Sequence, residues 1–384
     1  MNPLHTFAKA FLAAALLLGA CAPAPAAVTP TASPSVPTLP AANPASPSPT
    51  PAPTAAAAPI GPALNPLTGL PPAAPDLLER RPVLVKVQNV PREDRPQWGL
   101  SQADLVFEYY IEYGDTRFAA LFYGQQPTAV GPIRSARHID IPLVQMYKSF
   151  LIFGGAYDEL FDLLLESDFQ ERLIREGPNT APALFRYDPT GRNSLLVNLS
   201  LLPEVYQRYG MDDSPQELNG MAFSAAPPAG GEKAERVFVR FSGGMYNRWD
   251  YNPASGRYLR FADAQDDLNR DKPVYTAAVD RANGQPIGAE NVVVLWVPYE
   301  RVKAGAEVYQ AELLGSGPAY LARDGQLLRV RWQRDAAEDV LRLVDESGQP
   351  VPMKPGQTWF SLLEDDSAVR QEGADWFFTF QPVP

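Results

Sequence analysis

Runs of apolar and alternating residues divide the first half of the folded chain into strands and a helix. Three segments are typical of β-strands: PVLVKVQNV (82–90), ADLVFEYYIEY (103–113) and TRFAALFY (116–123). The segment YDELFDLLLES (157–167) instead places Leu160, Leu163 and Leu164 at helical spacing. The first half is therefore predicted to mix strands and helices.

The second half of the chain is dominated by short strand-like segments. They are RVFVRF, RYLRF, NVVVLWV, AYLAR, LLRVRW and VLRLVD. The turn dipeptides Asp324-Gly325 and Ser347-Gly348 between them favour hairpins. A Pro/Gly/charge cluster at residues 224–235 predicts a linker. The expected fold class is α+β, with a mixed domain at 64–223 and a mostly β domain at 236–384.

The segments at 103–113 and 116–123 predict one hairpin with its turn at residues 114–115. That register places Glu112 opposite Arg117 and Glu108 opposite Leu121. Alternation then predicts an apolar face of Phe107, Tyr109, Ile111, Phe118 and Phe122, and a polar face of Glu108, Tyr110, Glu112 and Arg117. Along one strand Glu108 and Glu112 would lie about 13 Å apart, which exceeds the separation of paired glycosidase carboxylates.

The segment GPIRSARHID (131–140) gathers positive charge. Pro132 suits the first turn of a helix, and helical spacing would then place Arg134, Arg137 and His138 on one face, with Asp140 turned away. Cations near a helix N-terminus are unfavourable because of the helix dipole, so an anion is expected beside them.

That anion has two candidate sources. A carboxylate of the preceding hairpin, Glu112 or Glu108, would make the cluster an internal ion-pair network. An external phosphate or carboxylate would make it a ligand site, because arginine matches the geometry of both groups. A single histidine such as His138 is more typical of a structural hydrogen bond than of catalysis.

The N-terminal segment MNPLHTFAKAFLAAALLLGAC predicts a lipoprotein signal peptide over residues 1–21. Its apolar run is too short to span a bilayer, and small residues precede Cys21, the only cysteine of the chain. Cys21 is the expected lipid attachment site. Residues 22–63, rich in Pro, Ala, Ser and Thr, are expected to form a disordered tether. The protein is thus predicted to lie outside the cytoplasm, anchored to the cell membrane.

Composition excludes several classes of site. With Cys21 acylated and His5 removed with the signal, neither a zinc–thiolate site nor a multi-histidine metal site can form. A net charge of −11 argues against nucleic-acid binding. No Walker loop, Rossmann fingerprint, nucleophile elbow or HExxH motif occurs. No cofactor or metal is expected, and no catalytic residue is assigned.

Several segments in order resemble the YerB-like lipoproteins of bacteria: NPLTGLP, RPVLVKVQN, ADLVFEYYIEYGDTRF, GPIRSAR, NVVVL, GPAYLARDGQ and KPGQTWFSLL. The resemblance implies paired N- and C-terminal domains of unknown function, with a layered α/β sandwich in the first. The family's polar residues correspond to Glu108, Glu112, Thr116, Arg117, Arg134, Ser135 and Arg137. Arg192-Asn193 departs from the family pattern, which carries a His-Asn pair there.

These observations predict a lipid-anchored envelope protein that binds an anionic ligand of the cell wall, or a partner, through its arginine cluster. The predicted ligand-binding residues are Glu108, Glu112, Arg117, Arg134, Ser135, Arg137 and His138. An alternative is a hydrolase or transferase acting on envelope glycan or phosphate, with Glu112 or His138 carrying the proton. A third is a structural spacer without a ligand.

Overall fold

Strands dominate the part of the chain that the structure describes. The computed structural model describes residues 63–303 and 305–382. The strands are β1 (Val83–Gln88), β2 (Leu105–Tyr110), β3 (Thr116–Phe122), β4 (Phe150–Ile152), β5 (Leu173–Ile174), β6 (Leu184–Arg186), β7 (Leu195–Val197), β8 (Glu232–Lys233), β9 (Arg236–Arg240), β10 (Tyr246–Asn252), β11 (Arg257–Asp263), β12 (Tyr275–Ala277), β13 (Gly288–Ala289), β14 (Asn291–Val297), β15 (Tyr299–Arg301), β16 (Tyr309–Ala311), β17 (Gly315–Arg323), β18 (Gln326–Arg334), β19 (Arg342–Val344), β20 (Thr358–Glu364), β21 (Ala368–Glu372) and β22 (Asp375–Thr379). The α-helices are α1 (Asp140–Tyr147), α2 (Asp158–Leu165) and α3 (Leu202–Tyr209).

The few helices are short. Each of the three α-helices in the described residues has eight residues. The helix predicted from the leucines of residues 157–167 is present as α2, which buries Leu160 and Leu164 while Leu163 stays exposed. None of the described helices is long and apolar enough to cross a membrane. The fold is β-rich, in agreement with the many strand-like segments.

The larger sheet contains strands from both halves of the chain. Its order is β19-β18-β17-β14-β20-β2-β3-β1-β4-β5, with β8 paired to β18, giving eleven strands. Strand β20 lies between β14 and β2 and runs parallel to both. Because β2 precedes residues 224–235 and β20 follows them, the sheet is continuous across the predicted linker.

The second sheet packs on the first through aromatic and charged side chains. Its order is β12-β11-β10-β9-β22-β21, with β13 paired to β11, giving seven strands. Trp249 of β10 meets Trp359 of β20 edge-on, with ring centroids 5.1 Å apart. Both rings are completely buried, so this contact belongs to the core between the sheets.

The β2–β3 hairpin has a different register from the one predicted. Glu108 lies opposite Phe118, and Tyr109 lies opposite Arg117. The turn is longer than two residues, because the Ile111 N–H bonds to the Asp115 carbonyl and residues 113–114 have positive φ. The predicted faces are therefore wrong: Phe118 shares the face of Glu108, and Arg117 shares that of Tyr109.

The predicted helix from Pro132 is also wrong. Residues 131–137 run as an irregular segment without helix, residues 138–139 form a turn, and α1 begins only at Asp140. The Arg134 N–H donates to the Lys86 carbonyl, and the Ile133 N–H donates to the Leu195 carbonyl. The backbone N–H groups of Ile133 and Arg134 thus bond to neighbouring elements and not within a helix.

Residues 224–235 are tied to the larger sheet at their C-terminal end. Strand β8 pairs with β18, and Ala234 is buried with its N–H bonded to the Gly325 carbonyl. The division into two domains at this segment stays a prediction. The signal peptide with Cys21, and all of the tether except residue 63, lie outside the described residues.

Candidate functional site

Arg137 and Glu112 lie on the wall of a cavity of about 460 Å³. The wall is formed by the β2–β3 turn, the segment before α1, the residues preceding α2 and the β15–β16 hairpin. It contains six tyrosines: Tyr109, Tyr110, Tyr113, Tyr157, Tyr299 and Tyr309. The volume of the cavity falls in the usual range of small-molecule sites.

The Arg137–Glu112 ion pair joins the two motifs singled out in the sequence. Arg137 Nε donates to Glu112 Oε2 at 2.8 Å, and Nη2 donates to Oε1 of the same carboxylate. Both side chains keep some exposure, 15% for Arg137 and 25% for Glu112. This forked contact leaves the pair accessible from the cavity, so a ligand anion can compete with Glu112 for Arg137.

A buried ion pair lies beside this wall. Lys86 Nζ is 2.8 Å from Asp140 Oδ1, and both side chains are completely buried. Tyr109 OH donates to the same oxygen at 3.0 Å, and the Arg137 N–H donates to Asp140 Oδ2 at 2.7 Å. Burial lowers the pKa of Lys86 to about 8, with Asp140 acting in the opposite direction. Asp140 is thus central to the cluster and does not turn away as predicted.

Arg117 adds a further positive charge. Its Nη1 donates to the backbone oxygen of Ser135 at 3.2 Å, and Ser135 lines the cavity. Among the described residues it forms no ion pair within 4.0 Å, and its buried Nε has no hydrogen-bond partner. Burial, followed by repulsion from Arg137, lowers the pKa of Arg117 to about 9. A nearby anion would relieve this unfavourable environment.

Arg134 and His138 do not join the Arg137–Glu112 pair. Burial lowers the pKa of Arg134, and its opposing electrostatic neighbour is Asp94. His138 is buried, and its Nε2 is hydrogen-bonded to the hydroxyl of Tyr157, which lines the cavity. Burial also lowers the pKa of His138, so the neutral imidazole is favoured near neutral pH.

Glu108 lies on the opposite face of the sheet, between the two sheets. Arg260 Nη2 donates to both of its carboxylate oxygens, at 3.1 and 3.0 Å. Asn247 Nδ2 and Trp359 Nε1 also donate to Oε2, at 3.1 and 3.2 Å. Only 1% of Glu108 is exposed. Its carboxylate therefore bridges the sheets and does not reach the cavity.

The structure brings Glu112, Ser135 and Arg137 together at the cavity, with Arg117 and His138 adjacent.

Sequence reasoning missed the contribution of the β15–β16 hairpin. Glu307 in its loop accepts from Tyr110 OH at 3.1 Å and from the Tyr113 N–H at 2.6 Å. No local signal connects these distant segments. Sequence reasoning also missed Lys86, although a lysine within the apolar strand PVLVKVQNV is a signal for a buried charge. Within the described residues, no group of three or more potential His, Cys, Asp or Glu ligands could hold a metal ion.

Comparisons of sequence and of structure with known proteins point to the same family. Residues 67–200 match the N-terminal domain, and residues 237–360 the C-terminal domain, of the family described as "Protein of unknown function (DUF3048)". The chain is 28% identical over 320 residues to the "Putative lipoprotein YerB" of Bacillus subtilis (strain 168), covering 80% of this chain and 88% of the relative. The crystal structure of Bacillus subtilis YerB is similar with a TM-score of 0.66 and 25% identity, covering 79% of this chain and 97% of that one.

Proposed function

This chain belongs to the DUF3048 family of YerB-like proteins, and from that premise we propose that it is a lipid-anchored extracytoplasmic protein whose cavity binds an anionic ligand at Arg137. Ser135 and Glu112 are the neighbouring ligand-site residues, with Arg117 and His138 supporting them. In this proposal Arg134 and Glu108 have structural roles.

The observation that carries the anion proposal is the buried charge of Arg117, which repels Arg137 and has no ion pair within 4.0 Å among the described residues. Lys86, Arg117 and Arg137 act on one another electrostatically, and Asp140 and Glu112 are the carboxylates that act on Arg117 against them. Arg117 is largely buried without a carboxylate of its own within ion-pair distance among the described residues. Burying a cation without a paired carboxylate is unfavourable, so an anion bound at Arg137 would offset part of this positive charge.

The ligand test uses two variants of opposite effect. We titrate inorganic phosphate and D-lactate separately into the full-length protein in detergent and follow binding by calorimetry. Arg137→Gln should abolish binding because it removes the accessible fork. Glu112→Gln should strengthen binding roughly tenfold because it removes the internal competitor.

Arg134→Gln is the matched control, since Arg134 belongs to the same motif but not to the cavity wall. It should leave anion affinity unchanged. Equal affinity of Arg137→Gln and the unchanged protein would overturn the proposed site, and so would an absence of binding for both anions in every variant.

The location rests on the signal-like N-terminus and on the lipoprotein name of the Bacillus subtilis relative. The proposed layout is a signal peptide at 1–21, a tether at 22–63, a layered α/β domain at 64–223, a linker at 224–235 and a mostly β domain at 236–384. The two family matches fall on either side of that linker.

The variant Cys21→Ala tests the lipid anchor. It should abolish acylation and release the protein from the membrane fraction. Unchanged partition would contradict the anchor.

A second candidate function is a hydrolase or transferase acting on envelope glycan or phosphate. The hydrogen bond between His138 Nε2 and Tyr157 OH favours it, because it places a base next to a hydroxyl on the cavity wall. Turnover of a glycan or phosphate ester that is lost in both His138→Gln and Tyr157→Phe would support this function. Turnover unaffected by both variants would contradict the assignment of this pair.

A further inference from the structure

We propose that the ligand of the cavity is a saccharide carrying an acid group, with the acid at Arg137 and a sugar ring against Tyr113. This inference rests on the proposed anion site and names its ligand class. Tyr113 and the mixture of aromatic and charged groups on the cavity wall carry it.

Tyr113 is an exposed aromatic side chain in an unusual backbone conformation. It lines the cavity, 79% of it is exposed, and its φ is 55°. A bulky residue at positive φ is uncommon in proteins because its Cβ is crowded by the backbone. Core packing does not explain a ring that is so exposed. The β2–β3 turn thus presents an exposed aromatic ring at the cavity, in a backbone conformation of the kind that clusters at functional sites.

The turn that presents Tyr113 is anchored from the second half of the chain. Its N–H donates to Glu307 Oε2 at 2.6 Å, and the same oxygen accepts from Tyr110 OH at 3.1 Å. Tyr110 OH in turn accepts from the Gly114 N–H at 3.0 Å. These bonds position the backbone of the turn and leave the Tyr113 ring free to contact a ligand.

The remaining wall combines aromatic rings with charged and hydroxyl groups. Tyr157, Ser135, Glu307 and Lys303 line the same cavity as Arg137. A sugar ring has an apolar face that can pack against a tyrosine, and hydroxyl groups that can bond to carboxylate, ammonium and hydroxyl groups. A small anion without a sugar would contact Arg137, but it would not contact the Tyr113 ring and would fill only a small part of a cavity of about 460 Å³.

Two matched pairs of sugars test the inference on the full-length protein in detergent. N-acetylmuramic acid differs from N-acetylglucosamine by a lactyl ether that carries a carboxylate, and glucuronic acid differs from glucose by a carboxylate. D-lactate supplies a carboxylate without a sugar. Each acidic sugar should bind at least tenfold more tightly than its neutral counterpart and than D-lactate.

Tyr113→Ala should weaken binding of the acidic sugars at least tenfold while leaving D-lactate affinity unchanged. Tyr113→Phe should retain acidic-sugar binding, because the ring and not the hydroxyl provides the contact. Tyr209→Ala is a matched control, since Tyr209 is 49% exposed but does not line this cavity. Thermal melts of each variant check that folding is preserved.

The outcomes separate this inference from the proposed function. If D-lactate binds as tightly as both acidic sugars and Tyr113→Ala changes neither affinity, the anion site stands and the saccharide inference is overturned. Neutral sugars binding as tightly as their acidic counterparts would also overturn it. Failure of both phosphate and D-lactate to bind in every variant would overturn the anion site itself.

Discussion

At the scale of single residues, the buried charges give the sharpest stability predictions. Lys86 and Asp140 are fully buried and paired at 2.8 Å. Lys86→Met leaves the Asp140 carboxylate without its cation and should lower the free energy of unfolding by roughly 3–5 kcal/mol. Guanidinium melts measure the loss.

The double variant Lys86→Met, Asp140→Asn serves as the control for this pair. The amide removes the unpaired charge but keeps an oxygen that can accept from Tyr109 OH. The double variant should therefore be more stable than Lys86→Met alone. A double variant that is equally or less stable would show that the uncompensated charge is not the source of the loss.

Asp104 predicts a pH dependence of stability. Burial raises its pKa from 3.8 to about 6, although the N–H groups of Tyr123 and Gly124 donate to it and oppose the rise. Between about pH 4 and pH 6, the folded protein therefore holds a proton on Asp104 that the unfolded chain has already lost. The stability contribution of this group is present below pH 4 and is lost as the pH rises through 6, by at most about 3 kcal/mol.

Chemical melts of the wild-type protein and Asp104→Asn at pH 4, 5, 6 and 7 measure this effect. The amide cannot titrate, so the stability of the wild type relative to the variant should fall across this range. A difference that is constant or rises with pH would contradict the raised pKa.

At the scale of elements, the extended GPIRSAR segment depends on Gly131. Its φ is 146°, and an added Cβ would lie 2.9 Å from both the Ile133 nitrogen and the Leu195 oxygen. Gly131→Ala should therefore lower the free energy of unfolding by roughly 2 kcal/mol or more. Urea melts measure it. Gly155→Ala is the neighbouring control: its added Cβ meets nothing within 4 Å, so little change is expected.

The same segment shows which elements the local sequence can predict. The leucine spacing of α2 and the apolar segments of β1, β2 and β3 are local patterns, and each marks a real element. The expected helix at Pro132 failed because proline is equally compatible with an extended backbone, and the deciding hydrogen bonds come from Lys86 and Leu195.

At the scale of the whole molecule, β20 joins the two halves of the chain. It pairs with β2 over five residue pairs, and the Glu108–Arg260 contact lies between the two sheets. We therefore expect that cleavage at residues 224–235 does not separate the halves. A protease site inserted after Ala229, which is exposed, tests this.

After cleavage, the two pieces should elute as one species on size-exclusion chromatography and separate only in denaturant. The uncleaved insertion variant is the control for any effect of the added residues. Fragments that separate under native conditions would instead support two independently stable domains.

The sequence alone determined the strand-rich character of the chain, helix α2 and the family, because these depend on local periodicity and on sequence motifs. It left open whether Glu112, Glu108 or an external anion pairs with the arginine cluster, and the structure decided for Glu112 at Arg137. Only the tertiary structure decided that Glu108 faces Arg260, that Asp140 pairs with Lys86 and that Glu307 reaches Tyr113. A shift in hairpin register by an odd number of residues moves every side chain to the other face, and turn length sets that register. Contacts between distant segments depend on which strands pair, and burial across the whole molecule selects those pairs.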